Sequence, residues 1–167
     1  MLQGYHEKLI QAFQAQTSEF AGEVSVIIPA EKVLDAARMI HDEFDFDFLA
    51  CVTAVDYWPE EDPRFHIVYV FRSLAKKLTL HLRAPVSGIS PSIASLEPIY
   101  RNANWHEREI YDMFGIKFEG HSDLRRILMP ADWQGHPQRK DYPLGYEEPQ
   151  YSFNFDEIAV RKPAPKE

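Results

Sequence analysis

The sequence predicts an α+β fold, in which a β-α-β-β-β sheet with helices packed on one face precedes a short-helix and loop segment and an extended C-terminal arm. Apolar residues recur first at helical and then at strand spacing through the first half of the chain. The last three strands are joined by connections too short for parallel pairing. We therefore assign residues 1–100 to an α+β core, residues 101–144 to an interface segment of the same domain, and residues 145–167 to the arm.

The first elements follow from the spacing of apolar side chains. Residues 5–16 place apolar residues at helical intervals, although the pattern is short. Residues 24–28 alternate between apolar and polar side chains and are followed by Pro29, which predicts a strand that stops there. Residues 31–44 carry an apolar stripe with charged residues on the other side, as an amphipathic helix does.

Three further strands follow. Residues 48–56 form a nearly unbroken apolar run, which is typical of a central strand covered on both faces and predicts that Cys51 is buried. Residues 65–71 are rich in aromatic and β-branched side chains, and residues 77–83 alternate as a strand with one wet face. The short connections make these three strands an antiparallel meander. Residues 90–98, which open with Ser-Pro and close at a proline, predict a short helix.

Composition excludes several classes of function. The net charge of −8 and the pI near 5.4 are unfavourable for binding nucleic acid or anionic membrane surfaces. With Cys51 as its only cysteine, the chain forms no internal disulfide and binds no iron–sulfur cluster by itself. No run approaches the roughly 20 apolar residues that cross a bilayer, and the N-terminus lacks the pattern of a signal peptide.

A helix is predicted at residues 104–116. Asn104 and Glu107 have the spacing of a capping box, Gly115 is placed to end the helix in the left-handed conformation, and Arg108 and Asp112 are four residues apart, as in a helical ion pair. The helix and the residues after it nevertheless contain more charged and large aromatic side chains than a small domain needs. Arg, Trp and Tyr contribute most to binding at protein interfaces, so this segment is predicted to contact a partner.

The segment also carries a long motif with defined spacing. Its residues are Glu107-Arg108-Glu109, Asp112-Met113-Phe114-Gly115-Ile116, His121, Leu124-Arg125-Arg126-Ile127-Leu128, Asp132-Trp133, Gly135-His136-Pro137 and Arg139-Lys140-Asp141-Tyr142-Pro143-Leu144. This motif resembles the signature of the thirty-kilodalton subunit, or C subunit, of respiratory complex I (NADH:quinone oxidoreductase). Relatives of that family include the J subunit of chloroplast and cyanobacterial complexes and subunits of energy-converting hydrogenases.

The resemblance implies a subunit of a proton-translocating enzyme rather than a complete enzyme. It implies that the chain has no catalytic residue, cofactor or metal and no activity when isolated, with FMN and iron–sulfur clusters held by partner subunits. It also implies docking in the peripheral arm against the partner that forms the quinone pocket and the adjacent iron–sulfur subunits, on the cytoplasmic face of the cell membrane. Membrane association would come only through the complex, which passes electrons from NADH to a quinone such as ubiquinone or menaquinone.

The partner-contact residues are expected among the charged and aromatic members of the motif. They are Trp105, Glu107, Arg108, Glu109, Asp112, Phe114, His121, Arg125, Arg126, Trp133, Arg139, Lys140, Asp141 and Tyr142. Residues 101–143 contain seven acidic and seven basic residues, whereas residues 1–100 contain fourteen acidic and eight basic, so a partner of mixed charge suits the segment. Arg125 and Arg126 are expected to be exposed, so that replacing both leaves the domain folded but weakens assembly.

Other classes of function remain open at this stage. One alternative is the equivalent subunit of a ferredoxin- or hydrogenase-linked membrane complex, and another is an adaptor outside respiration. A third is a metal-dependent or acid/base enzyme, because His106 and Glu109 at i, i+3 could begin a metal site. The further ligand or acid/base candidates for such an enzyme are Glu107, His121, Asp132 and His136.

Overall fold

The computed structural model describes residues 2–143, and the predicted arm at 145–167 lies outside them. The helices are α1 (Leu2–Phe13), α2 (Val33–Asp42) and α3 (Ala103–Phe114), with a short 3-10 turn (Ala30–Lys32) before α2. The strands are β1 (Gln16–Phe20), β2 (Glu23–Ile27), β3 (Phe48–Asp56), β4 (Phe65–Ser73), β5 (Leu78–Val86), β6 (Ser92–Ala94) and β7 (Lys117–Glu119). This arrangement confirms the predicted α+β class.

The main sheet has the strand order β1-β2-β5-β4-β3. Strand β4 pairs antiparallel with β3 on one side and with β5 on the other, which confirms the meander. Strand β2 pairs parallel with β5. Strand β1, which was not predicted from the sequence, forms an antiparallel hairpin with β2. The hairpin turns at Ala21 and Gly22, which both have positive φ, and its residues are mostly exposed, so hydrophobic periodicity gave no signal for β1.

One face of the sheet is packed against the helices. Alternate residues of β4 are buried from Phe65 to Ser73, and they pair with the buried residues of β3 and β5. The apolar side chains of α2 and α3 belong to the same hydrophobic cluster, so these helices cover that face. Complete burial of a side chain such as Phe71 contributes about 2 kcal/mol to folding. None of the helices within residues 2–143 is long and apolar enough to cross a membrane.

Strand β3 has the predicted bounds but not the predicted place. Among the described residues it lies at the edge of the sheet, so the prediction of a central strand was wrong. Its apolar run is explained by packing on one face only: Val52 and Ala54 are buried, whereas Thr53 is exposed and Cys51 is half-buried on the open face. The side-chain amide of Asn102, just before α3, donates to the carbonyl of Leu49 at 2.7 Å and ties the helix to this strand.

The predicted helix at residues 90–98 was also wrong. Ser90 has a φ of 50°, which is not the geometry of a helix N-cap, and residues 92–94 form β6, which pairs parallel with β7. The next two residues, Ser95 and Leu96, donate hydrogen bonds to a side chain of α3. Long-range pairing with β7 and these contacts with α3 therefore override the local Ser-Pro signal.

Candidate functional site

Helix α3 begins without the predicted capping box. Its N-cap is Asn102, which makes no side-chain capping hydrogen bond in the described structure. Glu107 instead accepts a hydrogen bond from the Ser95 hydroxyl at 2.6 Å and another from the Leu96 backbone N–H at 2.7 Å. The predicted partner of Glu107, Asn104, turns its side chain towards the loop that follows β6. The carboxylate therefore joins the helix to that loop rather than closing its first turn.

Glu107 is 0% exposed. Burial raises its pKa from 4.5 to about 7, against the lowering effect of the hydrogen bonds from Ser95 and Leu96. The hydroxyl of Tyr69 on β4 is buried without a hydrogen-bond partner among the described residues, and burial followed by the nearby Glu107 carboxylate raises the pKa of that phenol. Since Glu107 makes no ion pair within residues 2–143, α3 carries a carboxyl group whose charge costs free energy.

Asp112, a little more than one turn further along α3, is a buried carboxylate whose desolvation is offset by several hydrogen bonds. Its Oδ2 accepts the backbone N–H groups of residues 127, 128 and 129 at 3.0, 2.7 and 2.8 Å, and its Oδ1 accepts Arg126 Nη1 at 2.6 Å. Burial alone would raise the pKa of Asp112, but these N–H groups and Arg126 bring it below its usual value. The carboxylate thus fixes residues 126–129 against the helix, as oriented N–H groups hold an anion.

The predicted Arg108–Asp112 pair does not form. Arg108 donates from Nε to the Arg125 carbonyl at 3.2 Å and from Nη2 to the Arg126 carbonyl at 3.4 Å, and its guanidinium lies 5.2 Å from the ring of Trp105. Trp105, Arg108 and Asp112 follow one side of the helix at spacings of three and four residues. The loop at residues 125–129 therefore lies along this side of α3.

The end of α3 confirms the prediction for Gly115. It has a φ of 73°, and a side chain there would collide with the imidazole of His136. Arg139 donates from Nε to the carbonyl of Phe114, the last residue of the helix, and the Nδ1 of His136 lies 3.0 Å from the Asp112 carbonyl. Both side chains satisfy carbonyls that the end of the helix leaves without partners.

A second ionic cluster was missed by the sequence analysis. Arg64 binds Asp56 through Nε and Nη2 at 3.0 and 2.9 Å, and it binds Asp141 through Nη1 and Nη2 at 3.0 and 2.6 Å. The backbone N–H of Lys140 also donates to Asp56 at 2.9 Å. The hydrogen bonds that Arg64 donates to Asp141 and Asp56 raise its pKa, and the cluster ties the end of the segment to the sheet. Asp141 lies 77 residues after Arg64, so no local spacing could reveal the contact.

The predicted contact residues divide into three groups by exposure. The exposed ones are Trp105, Glu109, Arg125, Lys140 and Asp141. The half-buried ones are Arg126, Trp133, Arg139 and Tyr142, together with His121, whose backbone is partly exposed but whose side chain is buried. The buried ones are Glu107, Arg108, Asp112 and Phe114. The expectation that Arg126 is exposed was wrong, because its side chain is 18% exposed and is held by Asp112, whereas Arg125 does project into solvent.

Two exposed apolar side chains belong to the side of α3 along which the loop at residues 125–129 lies. Trp105 is 62% exposed and Leu128, which the prediction did not include, is 61% exposed. Arg125 is the first residue of the loop that lies along α3. Its guanidinium pairs with Asp123 at 2.9 Å. We call Trp105, Arg125 and Leu128 the α3 patch. It is supported from below by Arg108 and Asp112, which hold its backbone in place.

The alternative metal site is not assembled in the described structure. No group of three potential ligands that could hold a metal ion occurs within residues 2–143. The ring of His121 is engaged inside the fold, with Nε2 at 3.2 Å from the Asn104 carbonyl and Nδ1 accepting the Asp123 N–H at 3.0 Å. His121 is therefore a structural residue at this position, and the structure does not bring it together with His106 and Glu109 as ligands.

Solved structures show where this fold occurs elsewhere. The structure of Nqo5, solved as a trypsin-resistant fragment, matches with a TM-score of 0.64 and 30% identity over 74% of this chain and 100% of that chain. A chain of the membrane-bound sulfane sulfur reductase, an archaeal respiratory membrane complex, matches with a TM-score of 0.73 over 99% of this chain and 95% of its own. At 20% identity the second likeness concerns the fold alone.

Sequence relatives are closer. The NADH-quinone oxidoreductase C subunit of Roseiflexus castenholzii is 48% identical over 153 residues, which cover 90% of this chain and 87% of the relative. The protein of the same name from Geobacter sulfurreducens is 45% identical over 82% of this chain and 86% of its own length. The family model for the respiratory-chain NADH dehydrogenase 30-kDa subunit matches residues 26–148. The resemblance found in the signature motif is thus confirmed, and the chain belongs to the family of the 30-kDa subunit of respiratory-chain NADH dehydrogenase.

Proposed function

We propose that this chain is the 30-kDa subunit of an NADH-quinone oxidoreductase and acts in it as a docking subunit without a redox group of its own. Its curated relatives carry the name of that enzyme's C subunit. FMN and the iron–sulfur clusters that carry electrons from NADH to quinone then belong to other subunits, and the isolated chain has no catalytic activity. The single cysteine supports this division of labour, because a cluster usually requires four thiolates.

The observation that carries the docking role is the contrast between the inside and the outside of the signature segment. Most of its charged side chains make contacts within the chain: Glu107 with the loop after β6, Asp112 with Arg126, and Arg139 with the end of α3. These contacts hold a loop rigidly across the helix and leave the α3 patch at the surface. A rigid apolar surface with an adjacent arginine is the kind of site that partner proteins bind.

The partner is the subunit that forms the quinone pocket, with the neighbouring iron–sulfur subunits around it. Attachment to the membrane follows from the complex and places the chain peripherally on the cytoplasmic face. Trp105 and Leu128 then supply the apolar part of the contact, and their burial supplies most of the affinity. The exposed Arg125–Asp123 pair contributes less than about 1 kcal/mol to the fold, so either residue is free to exchange its partner on docking.

A deletion and complementation experiment tests this role. In a strain that lacks this subunit, the wild-type chain should restore NADH:quinone activity in membranes and the full-size complex on native gels. The double variant Trp105→Ala, Leu128→Ala should fold but assemble poorly, because it removes the apolar surface of the α3 patch. The matched control is Phe20→Ala, Leu74→Ala, which removes two exposed apolar side chains elsewhere and should assemble normally.

Circular dichroism of the purified chains separates docking from folding in this experiment. Both double variants should melt within a few degrees of the wild type, because exposed positions usually change stability by about 0.5 kcal/mol or less. If the strain without this chain kept a full-size, active complex, the proposed role would be wrong. Equal assembly by the two double variants would remove the α3 patch from the proposal.

A further inference from the structure

An open groove runs beside the α3 patch. It has a volume of about 490 Å³ and lies between the first turn of α3 and the residues after β7. The indole of Trp105 forms one wall, Pro98 and Gly120 contribute to the others, and Arg101 stands at its side. The groove thus combines an aromatic face, a small apolar surface and a cation in one place.

The acidic residue of the groove is already fully engaged. Glu97 accepts hydrogen bonds from the Ser122 backbone N–H at 2.8 Å, from the Ser122 hydroxyl at 2.7 Å and from Asn104 Nδ2 at 2.9 Å. These bonds, led by the Ser122 backbone N–H, lower the pKa of Glu97 to about 2. Glu97 therefore serves to hold the loop at residue 122 against the helix, and it forms no ion pair with Arg101 in the described structure.

Arg101 has the opposite character. Its side chain is exposed and makes no hydrogen bond, ion pair or ring contact with any of residues 2–143. A guanidinium presents a planar fork of N–H donors, which matches a carboxylate in a bidentate arrangement. Beside it, Trp105 offers its indole to the solvent, so a single ligand group could touch both.

We propose that this groove receives an acidic side chain of the partner protein, with its carboxylate paired to Arg101 and its aliphatic stem against the indole of Trp105. The inference rests on the proposed docking role and specifies part of the partner surface that meets the α3 patch. The partner therefore carries an Asp or Glu at the border of an apolar contact surface. Nucleic acid is an unsuitable occupant for the same groove, because the chain has a net charge of −8.

Charge reversal at the groove provides the test. Full-length Arg101→Glu is titrated against the subcomplex of the remaining subunits purified from the deletion strain, and Arg38→Glu serves as the matched control. Arg38 lies exposed on α2 beside Asp35. Both variants replace an arginine with a glutamate, so they change the net charge by the same amount. Arg101→Glu should weaken binding about tenfold or more, whereas Arg38→Glu should change it less than about twofold.

Two further measurements identify the kind of contact. Arg101→Lys should recover part of the lost affinity, because it keeps the charge but not the fork of donors. The affinity of the wild type should fall with salt more steeply than that of Arg101→Glu, since the variant lacks the attractive pair. All variants are checked by thermal melting, and an exposed side chain such as Arg101 is expected to leave the melt unchanged.

The outcomes separate this inference from the docking role. If Arg101→Glu binds as well as Arg38→Glu while Trp105→Ala, Leu128→Ala loses binding, the chain docks through the α3 patch and the acidic ligand in the groove is refuted. If the wild-type chain does not bind the purified subcomplex at all, the docking role and the groove ligand both fail. A loss confined to Arg101→Glu and partly restored in Arg101→Lys supports the inference.

Discussion

The substitution Glu107→Gln should make the protein more stable than the wild type above neutral pH. The carboxyl group is fully buried and has two hydrogen-bond donors but no cation to pair with among the described residues. Glutamine keeps the same shape, accepts the Leu96 N–H with its carbonyl oxygen and donates to the Ser95 oxygen with its amide. The variant therefore retains the anchor of α3 and removes only the charge.

The size of the effect follows from the pKa of Glu107, which burial raises from 4.5 to about 7. Because the folded value lies above the unfolded one, the native state holds a proton that the unfolded chain releases between these pH values. Stability therefore falls as pH rises through this window, by about 1.4 kcal/mol for each unit of pKa difference. The wild type loses about 3 kcal/mol by pH 8 and under about 1 kcal/mol at pH 5.

Urea unfolding of the full-length chains at pH 5 and pH 8 measures this difference. Other groups also titrate between pH 5 and pH 8. Burial lowers the pKa values of His66 and His136, so their contributions to the free energy of unfolding rise with pH, opposite in sign to that of Glu107. They cancel when the variant is compared with the wild type at each pH. The control Glu109→Gln, on the exposed side of the same helix, should shift stability by less than about 0.5 kcal/mol at either pH. A Glu107→Gln variant that is equally destabilised at pH 5 and pH 8 would refute the reasoning.

Three other substitutions probe the contacts that support the site. Asp112→Asn should lower the free energy of unfolding by about 2 kcal/mol or more at pH 7. The loss should shrink as pH falls below 3.8, because the unfolded chain then binds a proton that the native carboxylate, with its lowered pKa, binds only at still lower pH. Acid titration followed by circular dichroism measures this. Gly115→Ala should cost about 2 kcal/mol in urea unfolding, because alanine is strained at a φ of 73° and meets His136. Arg64→Ala should cost about 3 kcal/mol in the same assay, because it leaves the buried Asp56 without its cation, and a loss under 1 kcal/mol would contradict that role.

The fold was predictable where the pattern is long and local. The meander at residues 48–86 follows from strand-length apolar runs and short connections, and the stripe at residues 31–44 locates α2. Strand β1 was missed because its residues are mostly exposed, and strand β6 was missed because it is short and pairs with β7 more than twenty residues later. Strand β3 was misplaced because a half-buried open face tolerates apolar residues, which made an edge strand look central.

The site was predictable as a segment but not as a set of contacts. Glu107 and Glu109 are two residues apart on one helix, yet one is buried and the other exposed, because the helix turns about 200° between them. Arg125 and Arg126 differ in the same way, since only Arg126 meets the carboxylate of Asp112. The family motif marks all of these residues alike, so it could not distinguish those that hold the loop from those that face a partner.

The contact of Arg64 with Asp141 shows a second limit of prediction from the sequence. The two residues lie 77 positions apart in sequence, and the fold alone brings them together. Arg64 also lies outside the segment to which the motif drew attention. Side chains that position an interface from a distance can therefore be identified only from the structure.

Hydroxyl-radical footprinting of the free chain and of the purified complex tests the docking account most directly, because it reports the solvent exposure of individual side chains. The account predicts that Trp105 and Leu128 are oxidised readily in the free chain and are protected in the complex. Phe20, which is 85% exposed on the β1 hairpin, provides the internal reference and should stay reactive in both. Equal oxidation of Trp105 in the free chain and in the complex would contradict the account.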